Sequence, residues 1–300
     1  MAACRGWDSG MSSLFIGVGY NGLRITSADG RTWNTPTIGR EGEIYRAVAV
    51  GSGLCVAAGS YGGSNLYAVS SDGTAWKSQE KDAGYSRYIR GLIFAQGSFL
   101  GLGGDGGTVG ASRPFETHST DGAAWTEPHE FEGKYLIRRA AFGSGKYVGV
   151  GDRGRRAVST NGREWKDLAD VKAIDTLVDV AFGNGIFVGV GLNGLRQRTA
   201  DGQTWTDKQL GEEGEHLNSV LWTGEKFVAV GAGVTFTSPD GRKWTRLPNR
   251  NAPLTAVYGS GVYVGTRWKG RLLFSTDAVE WKEVRKCDYH VEALGFGVLG

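Results

Sequence analysis

Cysteine, proline and long apolar runs are all scarce in this 300-residue sequence, and each scarcity excludes a class of protein. The three cysteines are scattered and form no Cys-x-x-Cys pair, so neither a disulfide framework nor a cysteine-based metal site is expected. Six prolines, without a strict glycine triplet, argue against a collagen-like or disordered chain. No apolar stretch reaches the length of a membrane span, and the first residues lack the pattern of a signal peptide. We therefore expect a soluble chain of unknown compartment, although a removed leader would leave no trace.

A large excess of one charge is also missing. Lysine and arginine number 34 against 31 aspartates and glutamates, which leaves a net charge of +3 spread along the chain. Nucleic-acid and anionic membrane partners select for strong, clustered positive charge. We therefore expect no nucleic-acid partner and no membrane insertion, and any basic site must be local.

Glycine and tryptophan, in contrast, are abundant, and most of the tryptophans belong to one repeated turn. The chain has 50 glycines and ten tryptophans, and the pattern Ser/Thr-x-Asp-Gly-x-x-Trp recurs seven times, with Asn161 in place of Asp in one copy and Ala278 in place of Gly in another. The turns end at Trp33, Trp76, Trp125, Trp165, Trp205, Trp244 and Trp281. A period of about 40 residues predicts one four-stranded propeller blade per repeat.

The segments between these turns are short and alternate apolar with polar residues, as strands do. Segments 178–182, 187–190, 195–199 and 204–207 show this clearly, and glycine-rich turns separate them. In the repeated turn, the Ser or Thr hydroxyl and the Asp carboxylate can accept backbone N–H bonds, and the glycine supplies a positive φ. Ala278 replaces this glycine in the last repeat, which weakens the prediction of a positive φ there. The sequence therefore predicts an all-β, seven-bladed β-propeller of four-stranded antiparallel blades.

The ends of the chain are predicted to share one blade. Segment 13–18 resembles a second strand, and segment 291–296 resembles a first strand with nothing after it, so together they would remove the open sheet edges. In the alternative register, segment 4–7 supplies the inner strand instead. The predicted blades of a single domain, 1–300, cover 13–38 with 290–300, 45–80, 88–128, 135–168, 175–210, 216–248 and 253–286.

The repeated turn resembles the Asp box of sialidase-type BNR repeats, and the resemblance extends from Ser13 to Gly300. It implies a propeller, but little about function, because propellers of this kind include sialidases, other glycosidases, lectins and assembly factors such as the one for photosystem II. Sialidases usually have six blades and an Arg-Ile-Pro motif, whereas this chain has seven repeats and lacks that motif. No catalytic residue is therefore carried over from the family.

The most specific functional signal is a set of arginines at one strand position. Loop lengths vary on the face that holds the inter-blade connections and the loops between second and third strands, which indicates the functional face. Aligning the first strands places Arg46, Arg90 and Arg138 together near the channel mouth, with Arg139 beside them. Guanidinium groups suit carboxylate or phosphate, so an anion site is predicted. In the alternative, these arginines pair with neighbouring carboxylates or with solvent.

The opposite arc of the ring carries other polar and aromatic candidates. Asp179, Asn218, His290 and Glu292 are residue types that serve as general acids, bases or ligands, but no spacing fixes their geometry, so neither a metal nor a cofactor is expected. Trp268, in a loop, would stack on a sugar or a partner side chain if exposed, or would cap blade 7 if buried.

The regular repeats, combined with the lack of a complete catalytic constellation, favour a binding protein over an enzyme. We predict a monomeric, non-catalytic propeller that recognises a carbohydrate or acidic ligand, or a protein partner, at the loop-rich channel mouth. The alternative is a glycoside hydrolase or lyase that acts on an acidic sugar.

Overall fold

The computed structural model describes residues 11–82, 87–105, 113–168 and 171–300. Within these ranges the strands form seven antiparallel sheets. The innermost strands of successive sheets contact one another around a ring, which confirms the seven-bladed propeller. The three helices described are single 3-10 turns, Asp152–Gly154, Ala173–Asp175 and Leu192–Gly194, and none has the length or apolar character needed to cross a bilayer.

The blades are numbered from the one that holds the first strand, and their strands are given from the innermost outward. Blade 1 contains Val291–Leu299, Ser12–Gly19 and Arg24–Ser27; blade 2 contains Ile44–Gly51, Leu54–Tyr61, Ser64–Ser70 and Lys77–Asp82; blade 3 contains Arg87–Ala95, Ser98–Asp105, Phe115–Ser119 and His129–Glu130; blade 4 contains Ile137–Gly143, Lys146–Gly151, Arg156–Ser159 and Lys166–Asp167; blade 5 contains Leu177–Gly183, Ile186–Gly191, Arg196–Thr199 and Thr206–Gln209; blade 6 contains Leu217–Trp222, Phe227–Gly231, Val234–Ser238 and Thr245–Pro248; blade 7 contains Thr255–Gly259, Val262–Arg267, Arg271–Ser275 and Lys282–Lys286.

The two ends of the chain meet in blade 1, as predicted. Strand Val291–Leu299 pairs antiparallel with Ser12–Gly19, so the C-terminal segment supplies the innermost strand. The outermost strand of this blade is reduced to a single bridge between Arg24 and Thr37. The alternative inner strand, 4–7, lies outside the described residues.

The repeated turn makes the same hydrogen bonds in every blade. The Asp or Asn side-chain oxygen accepts the backbone N–H groups two and three residues further on, at 2.7–3.0 Å. The Trp indole N–H donates to the carbonyl three residues before it, at 2.8–3.3 Å. These bonds satisfy the polar groups of the turn, so the ring can pack against the sheet.

Each turn also packs against the preceding blade, and this close approach requires a small residue. A Cβ atom on Gly122 of blade 3 would lie 2.4 Å from Cγ2 of Val56 in blade 2, and Gly122 has a φ of +72°. In blade 7, Ala278 takes the place of the glycine, is fully buried and still adopts a φ of +62°. The glycine-to-alanine replacement therefore does not remove the positive φ from the seventh turn.

Candidate functional site

The predicted arginine position is a β-bulge on the innermost strand of three consecutive blades. The pairing register shifts between Tyr45 and Ala47, between Ile89 and Gly91, and between Ile137 and Arg139. The extra residues in these bulges are Arg46, Arg90 and Arg138, and the bulges of blades 5, 6 and 1 contain Val178, Asn218 and Glu292. A bulge kinks the strand and re-aims its side chains, so one backbone feature repeats around the channel mouth with different chemistry in each blade.

A cavity of about 170 Å³ lies at the centre of the ring, and the innermost strand of every blade contributes to its lining. One lining residue from each blade, in ring order from blade 1, is Ala293, Arg46, Gly91, Arg138, Asp179, Ser219 and Thr255. Arg139 also lines this cavity, which we call the arginine cavity. Arg90 precedes the lining residue Gly91, whereas Asn218 and Glu292 are not among the lining residues.

Arg46 and Arg90 lie close enough to influence each other, and neither forms a direct ion pair with the described residues. Burial lowers the pKa of Arg90, and the positive charges of Arg46 and Arg138 lower it further, while the Asp152 carboxylate partly opposes this effect. Neither the Arg46 nor the Arg90 guanidinium makes a hydrogen bond or an ion pair with the described residues, and the Nε atom of each is buried without a partner. The Arg90 guanidinium carbon lies 5.7 Å from the centre of the Tyr88 ring, within cation–π range. Two neighbouring cations without an acceptor form a favourable site for an anion.

The other two arginines of the cluster are partly satisfied by the protein. Arg138 forms a two-point ion pair with Asp152 of its own blade, in which Nη2 donates to Oδ2 at 3.0 Å. Arg139 Nη1 donates to the carbonyl oxygens of Arg138 and Arg90, at 3.1 and 3.4 Å. Arg138 therefore pairs with a neighbouring carboxylate, whereas Arg46 and Arg90 form no such pair among the described residues and are partly exposed to solvent.

Asp179 is the carboxylate of the arginine cavity, and its oxygens are already engaged. Oδ1 accepts the backbone N–H of Val180 and Oδ2 that of Val220 in blade 6, both at 2.9 Å. Burial raises the pKa of Asp179, while the charge of Arg139 and the backbone bonds oppose that rise. The bond to Val220 joins blade 5 to blade 6. Asp179 is the one carboxylate among the described residues that line the cavity.

His290 and Trp268 belong to a second, larger cavity of about 740 Å³ on the same face. The Trp268 ring lies 4.5 Å from the His290 ring, and Tyr20 contacts both rings at 6.1 and 5.6 Å between centroids. We call this cavity, with the rings of Tyr20, Trp268, Tyr289 and His290, the aromatic pocket. Trp268 is 57% exposed and therefore does not serve as a buried cap on blade 7. Glu292 contacts this group, because its Oε2 lies 3.4 Å from His290 Nε2.

A buried charge cluster between blades 3 and 4 has no clear signal in the sequence. Glu116 is fully buried, with Oε2 3.0 Å from His118 Nε2 and Oε1 3.2 Å from His129 Nδ1. Arg163, from the repeated turn of blade 4, donates its Nε–H to Glu116 Oε1 at 3.1 Å. The cluster joins the two blades, and the described residues contain no group of three or more metal-type ligands with a geometry suited to an ion.

No protein-family model matches this chain, and no curated protein sequence does. Solved structures share its fold. YCF48 bound to D1 peptide has a TM-score of 0.64 at 15% sequence identity, over 85% of this chain and 86% of that chain. Sqt1 from Saccharomyces cerevisiae has a TM-score of 0.60 at 11% identity, over 94% and 88% of the two chains. YCF48 from Cyanidioschyzon merolae has a TM-score of 0.58 at 13% identity, over 81% and 85%.

At these identities the likeness establishes the propeller fold alone. The resemblance of the repeated turn to the Asp box stays a prediction, since it rests on the sequence pattern.

Proposed function

We propose that this chain is a non-catalytic binding propeller that docks a protein partner on its loop-rich face and holds an acidic side chain of that partner at the arginine cavity. The observation that carries the proposal is the pair of neighbouring guanidinium groups of Arg46 and Arg90, which have no acceptor among the described residues. A carboxylate placed between them would satisfy both groups and offset their mutual repulsion.

The size of the arginine cavity favours one acidic side chain as its occupant. Pockets for small molecules usually measure about 300–1,000 Å³, whereas this cavity measures about 170 Å³. An acidic oligosaccharide needs more room, and a protein partner can insert one side chain while the rest of its surface remains outside. The volume therefore supports a protein partner over a sugar.

The surroundings of the cavity also have the composition of a protein interface. Six of the eight large apolar side chains exposed in the described ranges lie in inter-blade connections or in the loop after a second strand, namely Ile38, Ile174, Leu210, Leu254, Trp268 and Tyr289. Interfaces are enriched in aromatic residues and arginine, and apolar residues grouped on one face indicate a contact surface. A propeller of similar fold, YCF48, has been solved with D1 peptide bound, which agrees with this use of the fold.

The alternative of a glycoside hydrolase receives less support. Such enzymes generally use two carboxyl groups that flank the scissile bond. The lining of the arginine cavity offers Asp179 as its one carboxylate within the described residues, and both of its oxygens accept backbone N–H bonds. The described lining of this cavity therefore does not provide the second carboxyl group that glycoside hydrolysis requires.

The test compares binding of acidic peptides by the wild type and by an Arg46→Ala/Arg90→Ala variant. The probes are fluorescein-labelled 15-residue peptides rich in glutamate and aromatic residues, matched peptides with glutamine in place of glutamate, and sialyllactose. We expect the glutamate peptides to bind the wild type and the double variant to bind them at least tenfold more weakly, by fluorescence anisotropy. Arg242→Ala, an exposed arginine in the repeated turn of blade 6, is the matched control. Equal binding by the wild type and the double variant, or cleavage of sialyllactose, would overturn the proposal.

A further inference from the structure

The aromatic pocket lies on the loop-rich face beside the arginine cavity and has no role in the function proposed above. Trp268, in the loop after the second strand of blade 7, presents more than half of its surface to solvent, and the rings of His290 and Tyr20 pack on it. Burial lowers the pKa of His290, although the nearby Glu292 carboxylate partly opposes this effect. The pocket therefore presents uncharged ring surfaces around neutral pH.

One strand connects the two cavities and fixes their separation. His290 lines the aromatic pocket, and Ala293 and Leu294, which follow it in the innermost strand of blade 1, line the arginine cavity. A strand rises about 3.3 Å per residue. The segment from His290 to Ala293 spans three residues and includes the bulge at Glu292, so the walls of the two cavities lie within roughly 10 Å of each other. An extended peptide covers the same distance in about three residues.

The charges around the aromatic pocket also suit an acidic peptide. Lys269 and Lys286 line it, with Asp288 as the acidic member of the lining. The arginine cavity next to it contributes Arg46 and Arg138. A peptide that places a carboxylate in the arginine cavity therefore passes a second group of cations before it reaches the rings, and this arrangement steers it toward the aromatic pocket.

We propose that the aromatic pocket binds an aromatic side chain of the same partner, located about three residues from the acidic side chain held at the arginine cavity. This inference rests on the proposed function. The partner motif is then an extended segment with a glutamate or aspartate and a phenylalanine or tyrosine three positions apart. Trp268 contacts the incoming ring, and edge-to-face or offset packing of such pairs contributes to affinity beyond the buried area. The aromatic pocket thus sets specificity, while the arginine cavity supplies the anion contact.

The test is a mutant cycle between peptide and protein. The first probe is a fluorescein-labelled hexapeptide with glutamate at its second position and phenylalanine at its fifth, and the second replaces that phenylalanine by alanine. We expect the wild type to bind the phenylalanine peptide about five- to tenfold more tightly. Trp268→Ala should remove this preference, and Trp268→Phe should keep most of it. Val298→Ala, which changes an exposed apolar side chain near the end of the innermost strand of blade 1 and outside the loop-rich face, is the matched control and should keep all of it.

Three outcomes separate this inference from the proposal on which it rests. If Trp268→Ala keeps the preference for phenylalanine while Arg46→Ala/Arg90→Ala loses the acidic peptide, the inference is wrong and the proposed function stands. If no acidic peptide binds the wild type, the proposed function itself is wrong. If Trp268→Ala weakens the binding of sialyllactose but not of the phenylalanine peptide, the aromatic pocket binds a sugar ring and the inference is wrong.

Discussion

A reciprocal pair of substitutions in the repeated turns tests how tightly each blade packs on the one before it. Gly122 of blade 3 and Ala278 of blade 7 occupy equivalent positions and both have a positive φ, +72° and +62°. The first change is Gly122→Ala, which adds a methyl group beneath Val56 and Val69, and the second is Ala278→Gly, which removes one. The two changes should have very different effects on stability, because only the first adds a clash.

The structure gives the size of each effect. At Gly122 the new Cβ would lie 2.4 Å from Val56 Cγ2 and 3.0 Å from Val69 Cγ2. Overpacking lowers the free energy of unfolding by about 1–3 kcal/mol, and a positive φ for alanine lowers it by about 1–2 kcal/mol. Alanine also reduces the conformational entropy of the unfolded chain, which raises the free energy of unfolding by about 0.4–1 kcal/mol. Gly122→Ala should therefore lower the free energy of unfolding by about 3 kcal/mol. In Ala278→Gly, the relief of strain offsets the loss of a buried methyl group, worth about 0.8 kcal/mol, and the gain in chain freedom. Its effect should stay within about 1 kcal/mol of zero.

Urea unfolding followed by tryptophan fluorescence measures both variants, and Gly97→Ala is the control. Gly97 has a φ of +75°, and no atom lies within 4 Å of the position that an added Cβ atom would occupy, so this change isolates the backbone cost. The difference between Gly122→Ala and Gly97→Ala then gives the cost of the inter-blade clash. If both changes destabilise equally, the blades do not pack tightly at the turn. If Ala278→Gly costs more than about 2 kcal/mol, the methyl group, and not backbone strain, governs that position.

Two further predictions concern buried or backbone-bound carboxylates. Backbone N–H groups hold the pKa of Asp72 at about 2, below its value of 3.8 without these bonds, so its stabilising effect is complete above pH 4 and disappears as the pH falls toward 2. Asp72→Asn, which copies Asn161 of blade 4, should lose less stability than the wild type between pH 6 and pH 2.5 in urea unfolding, and equal losses would contradict this. Glu116→Ala should lower the free energy of unfolding by about 1–3 kcal/mol, because it removes the buried acceptor of the Arg163 hydrogen bond. Glu127→Ala, at an exposed ion pair, should change it by less than about 1 kcal/mol, and a similar loss in both variants would refute the argument.

The parts of the fold that sequence patterns predict are those set by local contacts. Each repeated turn is built from bonds that span two or three residues, as between Ser70 and Gly73 or Asp72 and Ala75, so a seven-residue pattern contains the information needed to recognise it. The shared position of the bulge arginines is also predictable, because the innermost strands repeat in sequence. Arg46, Arg90 and Arg138 occupy the same place in three of them.

The parts that sequence patterns miss depend on contacts between distant positions. Glu116 and Arg163 are 47 residues apart and meet only because the turn of blade 4 packs on blade 3. Tyr20, at the end of one strand, contacts Trp268 and His290 only after the chain closes into a ring. No short motif contains such pairs, so the aromatic pocket and the buried charge cluster emerge only with the fold.

The arginines of this propeller differ in whether the protein itself supplies their partners. Arg196 is buried, yet its guanidinium carbon lies 3.7 Å from the centre of the Phe236 ring, and its Nη1 donates to the Gly194 carbonyl at 2.8 Å. The protein therefore supplies this cation with a π face and an acceptor, as expected of a structural arginine. Arg90 has the Tyr88 ring within cation–π range, but neither Arg46 nor Arg90 has a hydrogen-bond acceptor among the described residues. These two guanidinium groups are therefore left for solvent or a ligand, and in regular scaffolds such local inconsistencies occur mainly where function requires them.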